Sequence, residues 1–227
     1  MKTKLIGITK PTDANAEMFL PKDIISYCAR VSNPSNQNNF QTADKLLEYC
    51  AKHDHWSVFE MVNVVIEIET TRDIARQILR HRSFSFQEFS QRYAEVLDMA
   101  PPREARLQDT KNRQNSIEFV DDKDGNIKEE WYRLQGFVVG AADHAYQWAI
   151  DNGIAKEVAR AVLPEGLTVS RLYMNGTLRS WIHYCQLRMG NGTQKEHREV
   201  ATACWDIITN EFQFLKDIYN ENTQRNS

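Results

Sequence analysis

Residues 77–93 bring charged, polar and aromatic side chains together at a density that suits a ligand site. This arginine stretch contains Arg80, Arg82 and Arg92, one histidine, one glutamate, and interleaved serines, glutamines and aromatic rings. Guanidinium groups can bind phosphate or carboxylate through paired hydrogen bonds, and aromatic rings offer flat surfaces to planar ligands. The composition alone fits an ordinary helix end equally well, with cations near the C-terminal dipole and phenylalanines in the core.

Residues 53–60, the histidine segment, also carry groups that could do chemistry. Ser57 and Glu60 have the spacing of a capping box, which predicts the start of a short helical turn. His53 and His55 could instead bind a metal together with Glu60, although a single His-x-His pair is a weak metal signal. These residues alone leave both interpretations open.

Residues 175–188, the Arg188 segment, have the apolar periodicity of a helix. Arg179 and His183 share a different face of that helix, because they are four residues apart. That face is either an exposed polar surface or a ligand-binding surface.

The neighbouring elements must hold these three segments in place. A helix predicted at residues 72–81, with Thr71 as its N-cap, would deliver the first half of the arginine stretch to one place. An extended chain beyond that helix would point Glu88, Ser90 and Arg92 in the same direction.

Periodicity predicts the remaining elements. Alternating or β-branched patterns predict strands at residues 3–9, 62–70 and 167–174. Apolar periodicity predicts helices at residues 22–31, 128–152, 155–163 and 194–219, and one more that begins at Thr42 as N-cap. Residues 98–127 are polar and predict a long excursion with room for a short hairpin.

Composition excludes several classes of protein. The 227 residues carry a formal net charge of −3, so an anion site must be local and not a bulk attraction to nucleic acid. No apolar run approaches the roughly 18 residues of a membrane span, and the N-terminal apolar run is too short for a signal peptide. The four cysteines form no CxxC pair, so we expect free, mostly buried thiols in the cytoplasm. We expect residues 1–227 to form a single domain.

The three segments together resemble those of the flavin-dependent thymidylate synthases. The order Arg-His-Arg, seven residues, then serine is the signature of that family, and here it runs from Arg80 to Ser90. The histidine segment is similar to the family's His-x-Ser/Thr-Pro/Val-Phe-Glu-His sequence, except that Met61 replaces the last histidine. The Arg188 segment is similar to the second conserved helix of the family, with Thr177 where many members have asparagine.

The resemblance implies an α+β fold with a central β-sheet flanked by helices, assembled as a homotetramer with active sites shared between subunits. It implies reductive methylation of dUMP to dTMP, with FAD as hydride carrier, methylene-tetrahydrofolate as carbon donor and NADPH as reductant. The chain has no Gly-rich Rossmann fingerprint, so side chains at subunit junctions would hold FAD. No metal, nucleic-acid or membrane partner is implied.

The resemblance also assigns roles to single residues. Arg188 would be catalytic and polarise the pyrimidine, since no cysteine is placed by a motif to add to the ring. Ser90 would bind dUMP and not attack it, since no neighbouring base would activate its hydroxyl. FAD would contact His55, Ser57, Arg80, His81, Arg82, Glu88, Gly176, Thr177, Arg179 and His183. The nucleotide dUMP would contact Gln77, Ile78, Leu79, Arg80, Glu88, Phe89, Ser90, Gln91, Arg92, Arg160 and Arg188.

Two other classes of function compete with this assignment. Arginines interleaved with aromatic rings also suit a binder of single-stranded nucleic acid, although the acidic charge balance argues against it. A metal-dependent hydrolase could use His53, His55 and His81, although no dense carboxylate–histidine motif supports it. A flavin absorption spectrum of the purified protein would separate the first class from both others.

Overall fold

A computed structural model describes residues 1–12, 18–96, 98–119 and 125–216. The strands are β1 (Lys2–Ile8), β2 (Asn63–Thr71), β3 (Ser85–Glu88), β4 (Arg106–Gln108), β5 (Ser116–Glu118) and β6 (Val169–Thr177). Four of them form an antiparallel sheet in the order β1-β2-β6-β3. Strands β4 and β5 pair as a separate hairpin, which confirms the hairpin foreseen in the polar excursion.

Helices surround this sheet. They are α1 (Pro21–Ala29), α2 (Ala43–Lys52), α3 (Arg72–Ile78), α4 (Gly125–Asp151), α5 (Lys156–Ala159), α6 (Leu178–Arg188) and α7 (Lys195–Glu211). The predicted α+β class, with a central sheet flanked by helices, is therefore confirmed. Within the described ranges, no helix is long and apolar enough to cross a membrane.

The alternating sequence of β2 explains how the sheet meets the core. Val64, Ile66 and Ile68 are fully buried on one face, and the residues between them lie on the other, more exposed face. Helix α6 packs on the buried face through Trp181, whose indole N–H donates to the carbonyl of Val64 at 3.0 Å. This bond satisfies a buried donor and fixes the position of α6 on the sheet.

Two predicted N-caps stand at the predicted positions but do not cap their helices. The hydroxyl of Thr42 accepts a hydrogen bond from Arg30 at 2.8 Å. The hydroxyl of Thr71 donates to Asp73 and accepts from Arg103 at 3.0 Å. In both cases hydrogen bonds to other side chains use the threonine hydroxyl that would otherwise have accepted from a backbone N–H of the helix.

The boundaries differ where pairing or turns intervene. The helix predicted from residue 175 begins at Leu178, because the three preceding residues pair with β2, and Thr177 caps it by accepting from the backbone N–H of Ser180. The helix predicted at 155–163 becomes α5 and a following 3-10 turn. Helix α7 ends at Glu211, and residues 217–219 of its predicted extent lie outside the described residues.

The arginine stretch has shorter regular elements than its sequence predicts. Helix α3 ends at Ile78, after which the chain turns through backbone bonds such as His81 N–H to the carbonyl of Ile78 at 3.0 Å. Strand β3 ends at Glu88, and the next residues form a turn closed by Tyr93 N–H to the carbonyl of Ser90 at 3.1 Å. The predicted extended arrangement of Glu88, Ser90 and Arg92 is therefore wrong beyond Glu88.

Candidate active site

Arg188 and His81 meet where α6 and α3 end. The Nε–H of Arg188 donates to Nε2 of His81 at 2.9 Å. Burial, and then the nearby Arg188 charge, lower the pKa of His81 to about 4, so its ring is neutral at neutral pH. Because Nε2 accepts, the ring proton lies on Nδ1. Within the described part of the chain the Nη groups of Arg188 have no hydrogen-bond partner, so they can bind a ligand.

Gln77 lies beside this pair and contacts a buried histidine that sequence reasoning missed. His197 of α7 is fully buried, with Nδ1 at 3.2 Å from Oε1 of Gln77 and Nε2 at 3.1 Å from the hydroxyl of Tyr184. Burial, then Arg188 and His81, lower the pKa of His197 to about 3. Its spacing to the buried Val200 and Cys204 on α7 is the sequence signal that could have placed it inside.

Sequence reasoning also missed a series of hydrogen bonds that continues from Gln77. Nε2 of Gln77 donates to Oε1 of Gln194 at 2.8 Å, and Nε2 of Gln194 donates to Glu196 at 2.9 Å. Glu196 forms an ion pair with Arg106 and lies 3.6 Å from Arg103. Although burial opposes ionisation, hydrogen bonds from the Glu196 N–H and Gln194 and the two arginines lower the pKa of Glu196.

The histidine segment faces the start of α6. Residues Trp56–Met61 form a short 3-10 helix, which confirms the predicted helical turn, but Ser57 lies inside it and no side chain caps it. Glu60 pairs instead with Arg179, and both side chains are more than 40% exposed. The ring of His183 meets Trp56 edge-on at 4.9 Å, and burial, followed by Arg179, lowers the pKa of His183. The predicted flavin contacts of this region, including exposed Ser57, therefore lie on one surface.

The metal alternative centred on the histidine segment finds little support. The rings of His53 and His55 are exposed, with centroids 6.3 Å apart, and both lie near the ring of Tyr49. Among the described residues, no group of three or more His, Cys, Asp and Glu is arranged to hold a metal ion.

The predicted nucleotide contacts after β3 form another group. Arg92 lies 3.4 Å from Glu157, and Arg160 donates to the carbonyl of that same glutamate at 3.3 Å. The Ser90 hydroxyl accepts from the backbone N–H of Arg92 at 3.4 Å. Gln91 is buried, and its Nε2 has no hydrogen-bond partner among the described residues. This group thus holds two partly or fully exposed guanidinium groups and an unsatisfied buried donor.

The remaining predicted site residues differ in their exposure to solvent. Ile78 is fully buried in the core, so its side chain cannot reach a ligand, whereas Leu79 is half-buried and Phe89 is 37% exposed. Glu88 accepts from Ser170 at 2.7 Å and is half-buried. Arg80 and Arg82 are exposed, and neither forms an ion pair within the described ranges.

Gly176, a predicted flavin contact, has a packing role. It is buried opposite Val64 in the sheet, and a Cβ at this position would come within 2.6 Å of Cε1 of Phe84. The Phe84 ring is itself held at 5.0 Å from the ring of Trp181. A glycine is therefore needed here because an aromatic ring occupies the space of a side chain.

Gly176→Ala should lower the free energy of unfolding by about 1–3 kcal/mol, because the ring cannot move without disturbing the core. Gly192→Ala in the loop between α6 and α7 is the matched control, since nothing lies within 4 Å of a Cβ there. Urea unfolding of the flavin-free protein would measure both. Unchanged stability with loss of flavin binding would instead support a direct flavin contact at Gly176.

The contacts divide the predicted site residues into separate groups. One contains the Arg188–His81 pair and also Gln77, which is linked to the pair through the ring of His197. A second lies around Glu60, and a third lies around Glu157. Among the described residues, no side-chain hydrogen bond or ion pair joins one of these groups to another.

Comparison with known proteins identifies the family. A family model described as thymidylate synthase complementing protein matches residues 16–212. A probable flavin-dependent thymidylate synthase of Paramecium bursaria Chlorella virus 1 is 49% identical over 212 residues, which are 93% of this chain and 95% of the relative. A flavin-dependent thymidylate synthase of Synechocystis sp. is 49% identical over 213 residues, 93% and 96% of the two chains. The chain belongs to the flavin-dependent thymidylate synthase family.

Solved structures support the same fold. A UMP/dUMP methylase, PolB from Streptomyces cacaoi, bound with 5-Br dUMP, superposes with a TM-score of 0.75 at 23% identity, covering 95% of this chain and 94% of that one. The same protein bound with 5-Br UMP gives 0.76 at 22% identity, with 96% and 94% covered.

Proposed function

We propose that the protein catalyses the reductive methylation of dUMP to dTMP, with FAD, NADPH and methylene-tetrahydrofolate. The contact between Arg188 and His81 carries this proposal. These two residues are 107 positions apart, in the two segments that resemble the family most closely, and the fold joins them by a direct hydrogen bond. The free cysteines of the chain suit the cytoplasm as its place of action.

The chemistry of the available side chains fits a flavin dinucleotide. Exposed Arg80 and Arg82 are suited to its diphosphate, and the surface formed by Ser57, Arg179 and His183 offers a hydroxyl, a guanidinium and an imidazole. FAD, when bound, would supply the hydride that reduces the transferred carbon. The residues of this chain bind and orient the reactants.

Arg188 is suited to activate the pyrimidine. Its Nε–H is used by neutral His81, which holds the guanidinium plane without neutralising its charge. The two Nη groups can then donate to a uracil carbonyl as negative charge develops there. An acidic partner at the position of His81 would have weakened that effect.

The nucleotide phosphate is best matched by the group around Glu157. Arg92 and Arg160 both approach this glutamate, and a phosphate could replace its weak exposed contact with Arg92. Among the described residues, no hydrogen bond joins this group to the group around Arg188. A single site that contains both groups would therefore suit completion by a second subunit.

The test is anaerobic incubation of the purified protein with dUMP, methylene-tetrahydrofolate, FAD and NADPH, followed by chromatography for dTMP. We expect dTMP to form only when all four are present. Formation of no dTMP by a folded, flavin-loaded protein would contradict the proposal.

Ser90→Ala should raise the KM for dUMP and leave measurable dTMP formation. Among the described residues, the Ser90 hydroxyl hydrogen-bonds only with the backbone N–H of Arg92, and no histidine or carboxylate bonds it as a base. We expect a loss of about 0.5–1.5 kcal/mol in dUMP binding, the value of one ordinary hydrogen bond. A covalent dUMP–Ser90 adduct detected by mass spectrometry would overturn the binding role.

Helix α4 carries an exposed apolar surface that supports the proposed homotetramer. Large apolar side chains are exposed along it, among them Phe137 at 75%, Tyr132 at 64% and Trp148 at 57%. A monomer rarely leaves so many large apolar groups in water. We propose that a second copy of the chain covers this helix in the assembly.

The wild-type protein should sediment near four times 26.4 kDa, and Phe137→Lys should shift it toward smaller species. Thr202→Lys makes the same change of charge at an exposed residue of α7 and is the control. Sedimentation as a monomer at micromolar concentration with full flavin binding would contradict shared sites.

A further inference from the structure

We propose that His197 is a positioning residue that, together with Gln194, holds the amide of Gln77 in one orientation, so that one Gln77 N–H is directed to the bound nucleotide. This inference rests on the proposed function for the identity of the ligand. It concerns a residue that the signature segments do not contain and that is fully buried beneath them.

Hydrogen bonds link Gln77 to His197 on one side and to Gln194 on the other, and the chain of bonds ends at Glu196. The carboxylate of Glu196 sets the direction of each bond in this network. Glu196 can only accept as a carboxylate, so Gln194 must turn its Nε2 toward it and its Oε1 toward Gln77. Gln77 must then present Nε2 to Gln194, which leaves its Oε1 facing His197. The network therefore begins at a fixed anion.

The same logic sets the tautomer of His197. Because Oε1 of Gln77 can only accept, Nδ1 of His197 must carry the ring proton. Its Nε2 then accepts from the hydroxyl of Tyr184 at 3.1 Å. Each member donates to the next, from Tyr184 through His197, Gln77 and Gln194 to Glu196, and such aligned bonds strengthen one another.

Two features keep this direction from reversing. Glu196 is held by its ion pairs with Arg106 and Arg103, which favour its charged form. His197 is surrounded by protein and remains neutral, so it cannot donate from both nitrogens. A flipped Gln77 amide would place two carbonyl oxygens together at Gln194, and at His197 it would require the other tautomer, with Nε2–H donating to Tyr184.

The consequence for binding lies in the second hydrogen on Nε2 of Gln77. One hydrogen is used by Gln194, and Gln77 is only half-buried at the end of α3, near Arg188 and His81. A nucleotide presents carbonyl and phosphate oxygens that accept such a donor. Fixing the amide beforehand removes the wrong orientation from the free protein, which favours binding.

Two substitutions separate positioning from packing. In His197→Asn, the side-chain amide can still donate toward Gln77, whereas His197→Leu retains bulk but no donor. We expect His197→Leu to raise the KM for dUMP about tenfold, the effect of losing one to two kcal/mol of binding, with a much smaller change in kcat at saturating dUMP. His197→Asn should restore most of the lost affinity. Equal dUMP affinity in His197→Leu and wild type would overturn the proposal.

The tautomer can be measured without turnover. In wild-type protein labelled with 15N-histidine, the resonances that disappear in His197→Asn belong to His197, and they should show a proton on Nδ1. A proton on Nε2 would overturn the network, whatever the activity of the variants. Wild-type protein that forms no dTMP but shows the Nδ1 proton would contradict the proposed function alone.

Discussion

Arg188→Ala should lower the rate of dTMP formation by about 10²–10³-fold, the usual cost of removing a preorganised donor to a developing anion. The side chain ends α6, and its Nε–H is already used by a neutral imidazole, so its position is set before any ligand binds. The lost interaction is one that strengthens in the transition state, so the change should fall mainly on kcat.

Arg188→Lys should recover only part of that loss, since lysine keeps the charge without the planar group that bonds both His81 and a substrate. NADPH-dependent flavin reduction should change little in either variant, because that half-reaction needs no polarised uracil. The competing explanation is that Arg188 only stabilises the C-terminus of α6, an effect of about 0.3–1 kcal/mol. Arg188→Ala protein that folds, binds FAD and makes dTMP at a near-normal rate would favour that explanation.

Sequence patterns predicted the scaffold well, because periodicity reports directly on burial. The buried Val64, Ile66 and Ile68 of β2 stand where alternation placed them, and Leu178 and Trp181 lie on the apolar face of α6. Residues close in sequence, such as those of the arginine stretch, could be recognised as a group from their order alone.

The contacts between distant segments could not be predicted in this way. Gln77 and His197 are 120 residues apart, and nothing in either segment indicates that the two side chains meet. The failed caps have the same cause, since the bond from Arg103 to Thr71 joins residues 32 positions apart. Gly176 is a further example, because its neighbours in sequence do not indicate that the ring of Phe84 fills the space beside it.

The protein should lose stability as the pH falls from 6.5 toward about 5, because two histidines stay neutral in the folded state. The pKa values of His81 and His197 are lowered from 6.5 to about 4 and about 3. Over this interval the unfolded chain binds protons that the folded protein does not, so unfolding becomes more favourable. The stabilisation is thus present above pH 6.5 and is progressively lost as the pH falls toward the folded values.

Each such histidine should contribute a slope approaching about 1.4 kcal/mol per pH unit to the free energy of unfolding. The lowered pKa values of Asp73 and Glu196 act in the same direction, but their ordinary values of 3.8 and 4.5 confine their effect to lower pH. His183, whose pKa burial also lowers, adds to the histidine slope. The interval from 6.5 to about 5 therefore isolates the histidines.

Urea unfolding followed by circular dichroism, at fixed protein concentration and without flavin, would measure the slope. His197→Asn removes one of the two strongly shifted groups and should reduce the slope by up to about 1.4 kcal/mol per pH unit. Equal slopes in wild type and His197→Asn would mean that His197 is protonated in the folded protein. Its Nε2 could then no longer accept from Tyr184, and the contact at 3.1 Å would have to be formed by a donor imidazolium and an accepting hydroxyl.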